Sequence, residues 1–320
     1  MKVPPYAQPV AVKLDVNGRQ VMFDMSDSSV LSPNFFDSVD WVFKRSLRSD
    51  WNPHDSGSTK VRPFGLNYMV MQDGFSWFPI KRALAFPRAS GWPKHVARAL
   101  DSPNWFHYSP RRSMIELGPP RNLSDMKVLF LARVWDTAND DHFDLSHELR
   151  EDRIQVNEMR VRCIRSLRAE FGSRALVGLV PDNFAQIHYP DCIIDNRLTE
   201  KKRYLQLLAD YPVCITTTGL HGSIGWKFAE YVATSRAIVS EPLNHQIPGK
   251  FARGENYLSF EDANSCLEAV SVLLDNPYYC LQMMQQNSDY YQKFLRPDEL
   301  VWNCLKQVGS HTEPQSKPRK

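Results

Sequence analysis

The chain has 320 residues, 42% of them hydrophobic and 23% charged, with a formal net charge of +3. That is enough apolar material for one large or two ordinary domains and too much for a disordered chain. The charge is too small to mark a nucleic-acid binder, and nucleic acid is not expected as a partner.

No stretch approaches the roughly 18 consecutive apolar residues of a membrane-spanning helix. The N-terminus, "MKVPPYAQPVAVKLD", has no apolar signal core, so a cytoplasmic location is expected. Cys163, Cys192, Cys214, Cys266, Cys280 and Cys304 all lie in the second half, without a CxxC pair. Buried thiols in a reducing compartment are the expectation, with no metal site and no redox motif.

Up to about residue 125 the chain is rich in proline and aromatics. "RQVMFDMSD" reads as a short strand running into acidic and hydroxyl residues. "FFDSVDWVFKRSL" has a helical or mixed pattern, and "KVRPFGLNYMVM" a strand broken by Pro63 and Gly65. "GWPKHVARAL" suggests a short helix with Pro93 in its first turn. "LGPPRNLSD" reads as a linker.

After it the rhythm changes. "KVLFLARVW" is a continuous apolar run, as expected of a strand buried on both faces. "LREDRIQVNEMRVRCIRSLRAEFG" follows as a long helix capped by Gly172. Its Arg150, Arg153, Arg160 and Arg162 read mainly as a charged face, with Arg153 and Asn157 candidates to reach an interdomain cleft. "ALVGLV" is a second strand, and "TEKKRYLQLLADYP" a helix with Thr199 as N-cap. "VCITTT", "AIVSEPL" and "NYLSF" are further strands, separated by the helix "SIGWKFAEYVATS". Two helical stretches finish the chain. Strands alternating with helices imply βαβ units and a parallel sheet. "DDHFDLSHE" is metal-like in composition only, and its spacing fits an exposed loop.

In such sheets ligands sit at the carboxyl ends of strands, beside helix N-termini. "TTTGLHGS" is expected to end a strand and open a helix. Gly219 and Gly222 allow close backbone approach. The helix mouth, with His221, Ser223 and then Lys227, suits a phosphate or diphosphate. The plainer alternative is a glycine turn with Ser223 as the cap. Glu230 is either a desolvated carboxylate that accepts from sugar hydroxyls or a solvated outer-face residue.

"GLHGSIGWKFAEYVATSRAIVSEPL" and "GENYLSFEDANSCLEAVSVLLDNP" resemble the donor-binding domain of GT-B glycosyltransferases of the group-1-like kind. "VLFLARVWD" resembles that domain's first strand, and "DWVFKRSL", "RPFGLNY" and "SDYYQKFLRPDELV" resemble segments of sugar transferase-like proteins of bacterial polysaccharide clusters. The likeness runs over about residues 20 to 308. It implies an α/β chain of two GT-B-like, Rossmann-like domains: a short acceptor-side domain, complete or incomplete, over 1–120 and a nucleotide-sugar domain over 121–308. A disordered basic tail at 309–320 would follow, suited to an anionic membrane surface. The resemblance assigns Arg133 and Lys227 to donor phosphate and Glu230 to the ribose. The family's first glutamate position falls on Gly222, beside His221.

The activity implied is transfer of a sugar from a nucleotide-sugar co-substrate to a glycan or lipid-linked acceptor in surface polysaccharide assembly. No cofactor and no metal are expected, since Arg133, Lys227 and the helix mouth supply the cationic environment. Asp24, Asp27 and Asp40 are candidates for a catalytic base, with turn and capping roles as the alternative. Lys44 and Arg45 are candidates for acceptor or phosphate contacts, or form a solvated basic turn. A noncatalytic sugar-nucleotide- or glycan-binding subunit derived from the transferase fold is the competing reading; a truncated transferase, or one whose cleft a partner subunit completes, is a further alternative. A nucleotide-sugar epimerase shares the fold signals.

Overall fold

A computed structural model describes residues 11–31, 38–52, 54, 60–68, 70–71, 112–113, 125–139 and 145–310. The "GWPKHVARAL" segment, most of the expected linker and the tail beyond residue 310 lie outside them.

Strands β1 (Ala11–Val16) and β2 (Arg19–Asp24) form an antiparallel hairpin. Its turn is Asn17-Gly18, both left-handed (φ 53° and 78°), as a two-residue hairpin turn requires. β3 (Trp41–Lys44) and β4 (Lys60–Pro63) add in parallel, giving a sheet of order β1-β2-β3-β4. The expected helical or mixed pattern around "DWVFKRSL" is therefore corrected to a strand. Alternation explains it: Trp41 and Phe43 belong to one core cluster and Val42 to another, on opposite faces. A sheet covered on both sides hides the period-2 signal. Two short parallel strands, β5 (Val70–Met71) and β6 (Arg112–Ser113), form a separate pair.

The second sheet is parallel and five-stranded. It contains β7 (Val128–Ala132), β8 (Ala175–Leu179), β9 (Val213–Thr216), β10 (Ala237–Ser240) and β11 (Leu258–Ser259). The order is β11-β10-β9-β7-β8. The first strand of the unit thus lies inside, with the second on one side and the third on the other. The chain winds outward in both directions from the β7/β9 junction, which is the switch point of a doubly wound sheet.

Helices cover both faces. α1 (His147–Phe171) lies on one, with α2 (Asn183–His188) nearby. α3 (Lys201–Asp210) and α4 (Trp226–Ala233) lie on the other. α5 (Ala263–Asp275) and α6 (Pro277–Tyr290) join the α1 side. The strand pleat divides β7 between the two cores: Val128 and Phe130 pack with Ile164 and Leu167 of α1, while Leu129 and Leu131 pack with Leu208 and Phe228. Each such side chain, fully buried, contributes about 1.5–3 kcal/mol.

Three helix starts repay attention. Ser146 caps α1, its hydroxyl accepting from Leu149 N, and Asp262 forms a capping box with Ser265 at α5. Thr199 does not cap α3; it ends a short 3-10 turn and its hydroxyl donates to Asn196 O at 2.7 Å. The cap residue is Glu200, without a side-chain bond.

After α6 the backbone makes a π turn over Tyr291–Leu295, then turns at Arg296 into α7 (Pro297–Ser310). Leu300, Cys304 and Val308 of α7 pack on Val21, Phe23 and Phe43 of the first sheet. The last helix thus returns to the first unit. A second tie lies at residues 47–49, where Gln246 N donates to Leu47 O at 2.8 Å and Ser49 N to Asn244 O at 3.0 Å. Gly65 sits in this seam with φ 91°, where a Cβ would meet Pro248 Cδ at 2.4 Å.

All six cysteines are buried free thiols. Among the described residues, no helix is long and apolar enough to cross a membrane.

Candidate functional site

The carboxyl ends of β7 and β9 face the same mouth, and α1 arranges it. Arg153, Asn157 and Arg160 recur at helical spacing on one face of α1, and all three are buried. Asn157 accepts from Trp135 N at 2.8 Å and donates to Trp135 O at 2.7 Å. Arg153 donates to the carbonyls of Asp136 and Asn139, and its guanidinium lies 5.7 Å from the Trp135 ring centre. Arg160 donates to Arg133 O, Thr217 Oγ1 and Thr218 O. The charged-face reading of these residues is corrected accordingly: on one side of α1 the polar atoms serve as fasteners for the loops after β7 and β9.

Arg160 is held down to about 10 by burial, against the opposing charge of Glu241. Glu241 follows β10 and accepts from both Thr218 N and Thr218 Oγ1. Neither Arg160 nor Glu241 stands out in the sequence. The available signal was the i, i+4, i+7 spacing of Arg153, Asn157 and Arg160.

These fasteners leave the Arg133 side chain exposed at the mouth, with Trp135 beside it. Across from them lies the glycine turn. Gly219 N donates to Ser223 O at 2.8 Å and Ser223 N to Leu220 O at 3.2 Å, closing the loop on itself. A Cβ on Gly219 would meet Ser223 Oγ at 2.7 Å. His221 and Gly222 are both left-handed, φ 59° and 66°, and His221 N donates to Asp152 of α1 at 2.7 Å.

This turn changes the expected helix start. Two successive left-handed residues cannot continue into a helix, so α4 begins at Trp226, with Gly225 as its N-cap. Ser223 is therefore not the cap, and it ends the turn instead. Lys227, in the first turn of α4, donates through Nζ to Leu131 O at the end of β7 and lies 5.5 Å from the Tyr204 ring centre. Arg133, Lys227 and the glycine turn are thereby gathered at one mouth.

Glu230 is 3% exposed, on the buried side of α4. Its charge is felt by Tyr68, Tyr204 and Tyr231, whose hydroxyls are pushed up first by burial and then by their neighbours. The outer-face alternative for Glu230 is excluded by this burial.

In the first sheet, Asp24, Asp27, Lys44 and Arg45 cluster at the carboxyl ends of β2 and β3. Lys44 Nζ pairs with Asp24 at 2.9 Å, both buried, and donates to Ser26 Oγ at 2.7 Å. Burial lowers Lys44, with Asp24 opposing. Arg45 pairs with Asp27 and donates to Ile224 O at 2.7 Å, directly ahead of α4. The solvated-turn alternative for Lys44 and Arg45 is thereby corrected. Asp40 lies at the opposite end of β3, accepting from Gln20 N at 2.7 Å. Parallel pairing of β2 and β3 puts these ends a strand length apart, so Asp40 does not join the others.

Among the described residues, no group of three or more His, Cys, Asp or Glu side chains could hold a metal ion.

No protein-family model matches the chain, and no curated protein matches it. Solved structures do. It is similar to the C-terminal domain of a glycosyl transferase group 1 family protein, LpcC, from Francisella tularensis: 8% identity over 56% of this chain and 87% of that one, TM-score 0.34. It is also similar to sucrose-phosphate synthase (tll1590) from Thermosynechococcus elongatus, at 12% identity over 87% of this chain and 59% of that one, TM-score 0.43. A third is Anabaena Alr3699/HepE in complex with UDP, at 11% identity over 89% of this chain and 69% of that one, TM-score 0.40. The chain spans about three-fifths of the length of the synthase.

Proposed function

We propose that the chain is a glycosyltransferase that takes a sugar from a nucleotide-sugar donor and passes it to a glycan or glycoconjugate acceptor in surface polysaccharide assembly. The carrying observation is a pair of fastenings at the switch point of a doubly wound sheet: Arg160 ties Arg133 to the start of the glycine turn at Thr217 and Thr218, and Lys227 bonds the end of β7 at Leu131 O. A donor diphosphate fits that mouth: exposed Arg133 contacts it, Lys227 adds charge, and the N-terminus of α4 is positive. Trp135 offers an exposed aromatic face beside them. As the sugar leaves, negative charge grows on the diphosphate, and preorganised cations stabilise it without a metal. Glu230 then serves the ribose from the inner side of α4. Of the two acidic candidates at the carboxyl ends of β2 and β3, Asp27 is the one exposed to solvent, at 66% of its side chain, and accepts the acceptor's hydroxyl proton.

A noncatalytic sugar-nucleotide-binding subunit, working with a partner, is the second reading. One observation favours it: Asp24 and Asp27 are both engaged by cations, and Asp40 lies at the far end of its strand. The test is a panel of UDP-, GDP-, ADP- and CMP-linked sugars, followed for release of free nucleotide with and without a mixture of lipid-linked and glycan acceptors. Release from one donor, lost in Arg133→Ala, supports transfer. Tight binding without release supports the second reading. Neither binding nor release with any donor would overturn both.

A further inference from the structure

Strand β1 is the outer strand of the first sheet, with β2 on its inner side. The hairpin register fixes which of its backbone groups face β2. The two-residue turn at Asn17-Gly18 closes on Val16 and Arg19, which exchange both backbone bonds. The pairs alternate from there. Val12, Leu14 and Val16 turn their N–H and C=O groups to β2, and Lys13 and Asp15 turn theirs outward. β2 obeys the same alternation: the carbonyls of Gln20 and Asp24 face away from β1 and accept from Asp40 N and Arg45 N. Among the described residues, nothing bonds the outward backbone groups of Lys13 and Asp15.

The side chains of this edge are open too. Val12 is 53% exposed and Leu14 40%. They share a face with Val16, which packs beside Val21, Phe23 and α7. Lys13 and Asp15 lie on the other face. Lys13 donates to Ser38 O, and Asp15 accepts from Gly18 N and Gln20 Nε2, all at exposed positions where water replaces such bonds at little cost. An unpaired edge with exposed apolar side chains is a template for another strand.

The strand "AVKLDV" is complementary to itself. When β1 meets a second β1 antiparallel, odd-numbered residues must face odd-numbered ones, because only they carry outward groups. Lys13 opposite Lys13, or Asp15 opposite Asp15, sets like charges together. The register between these places Lys13 opposite Asp15 on each side of a two-fold axis at Leu14. It also sets Leu14 against Leu14 and Val12 against Val16. Charge thus selects one register, and that register joins the apolar side chains.

We propose that a second copy of this chain docks on the outer edge of β1, the two β1 strands pairing antiparallel about Leu14 so that one sheet runs through both copies. The interface is isologous and closes on itself as a dimer. One short strand from each copy buries less than the roughly 1,200 Å² of a standard interface, so the dimer is weak, with a Kd of about 1–100 µM. This surface is independent of the sugar-transfer reading.

The experiment is sedimentation velocity of the full chain from about 1 to 200 µM, paired with hydrogen–deuterium exchange at both ends of that range. The sedimentation coefficient should rise from monomer to dimer, and exchange in peptides covering residues 11–16 should slow as it does. Asp15→Lys sets a lysine against Lys13 and should weaken the dimer about tenfold or more. It also removes the acceptor of Gly18 N, so the reciprocal swap is the decisive variant. Adding Lys13→Asp restores opposite charges across the axis, leaves the turn altered, and should restore the dimer. If Asp15→Lys unfolds, Leu14→Lys replaces it: two lysines at the axis should abolish the dimer and leave the monomer folded. A monomer throughout the range means that the charges merely protect the edge, and overturns the proposal. A dimer without slowed exchange at residues 11–16, or one that the reciprocal swap does not restore, overturns it as well.

Discussion

Arg160 on α1 donates to the carbonyl oxygen of Arg133, 2.7 Å away at the end of β7. The same guanidinium reaches Thr217 and Thr218 after β9, so one side chain ties together both loops of the switch point. Arg160→Met leaves those acceptors without their donor in a buried place. The expected loss is about 3–5 kcal/mol in urea unfolding. Arg160→Lys should recover only part of it, because a point charge cannot span three acceptors as the planar fork does. A loss under about 1 kcal/mol would show that the loops hold without it.

His221 stands in the left-handed region with φ 59°, where a side chain costs energy that glycine avoids. His221→Gly should therefore leave the melting temperature unchanged or raise stability by up to about 1 kcal/mol. If the histidine touches a donor, the same variant weakens nucleotide binding. Stability and affinity moving in opposite directions is the signature, and a fall in both would mean that the imidazole is structural.

Lys44 and Asp24 form a buried ion pair at 2.9 Å. Removing one partner strands the other's charge, at a cost of about 3–5 kcal/mol. Asp24→Ala and Lys44→Met should each be strongly destabilising, and the double variant much less so than their sum. Additive losses in the double-mutant cycle would contradict the pairing.

His245 lies below the ordinary histidine value of about 6.5, because burial comes first and Arg45, Arg48 and Lys44 add to it. The unfolded chain takes up a proton that the folded chain resists. Stability present above that value is lost as pH falls through it toward the folded value. Melting temperatures from pH 8 to pH 5 should decline, and His245→Gln should flatten the decline. A rise on acidification would reverse the sign assigned to the site.

The second half of the fold was largely legible. Its strands are buried on both faces and read as apolar runs, as in "VLFLA", and Gly172 marked the end of α1. β3 was not, because Trp41, Val42, Phe43 and Lys44 are all buried and leave no alternation to see. The helix mouth was misplaced by three residues, since left-handed backbone at His221 and Gly222 is a property of the folded turn. The gathering of Arg133 with Lys227 was expected from resemblance, while its fastening by Arg160 was read as a charged surface. A buried arginine bonded to two carbonyls and a hydroxyl, with its opposing charge at Glu241 81 positions on, leaves no acidic partner at helical spacing to mark it. The tie of α7 to the first sheet, through Leu300, Cys304 and Val308, spans most of the chain and has no local signal.

The most direct test is hydrogen–deuterium exchange of the full chain with each of UDP, GDP, ADP and CMP. The account predicts that one nucleotide slows exchange in peptides covering residues 132–137 and 217–228 together, and that Arg133→Ala abolishes the effect. Protection confined to other segments, or none with any nucleotide at millimolar concentration, would contradict a donor site at the β7/β9 mouth.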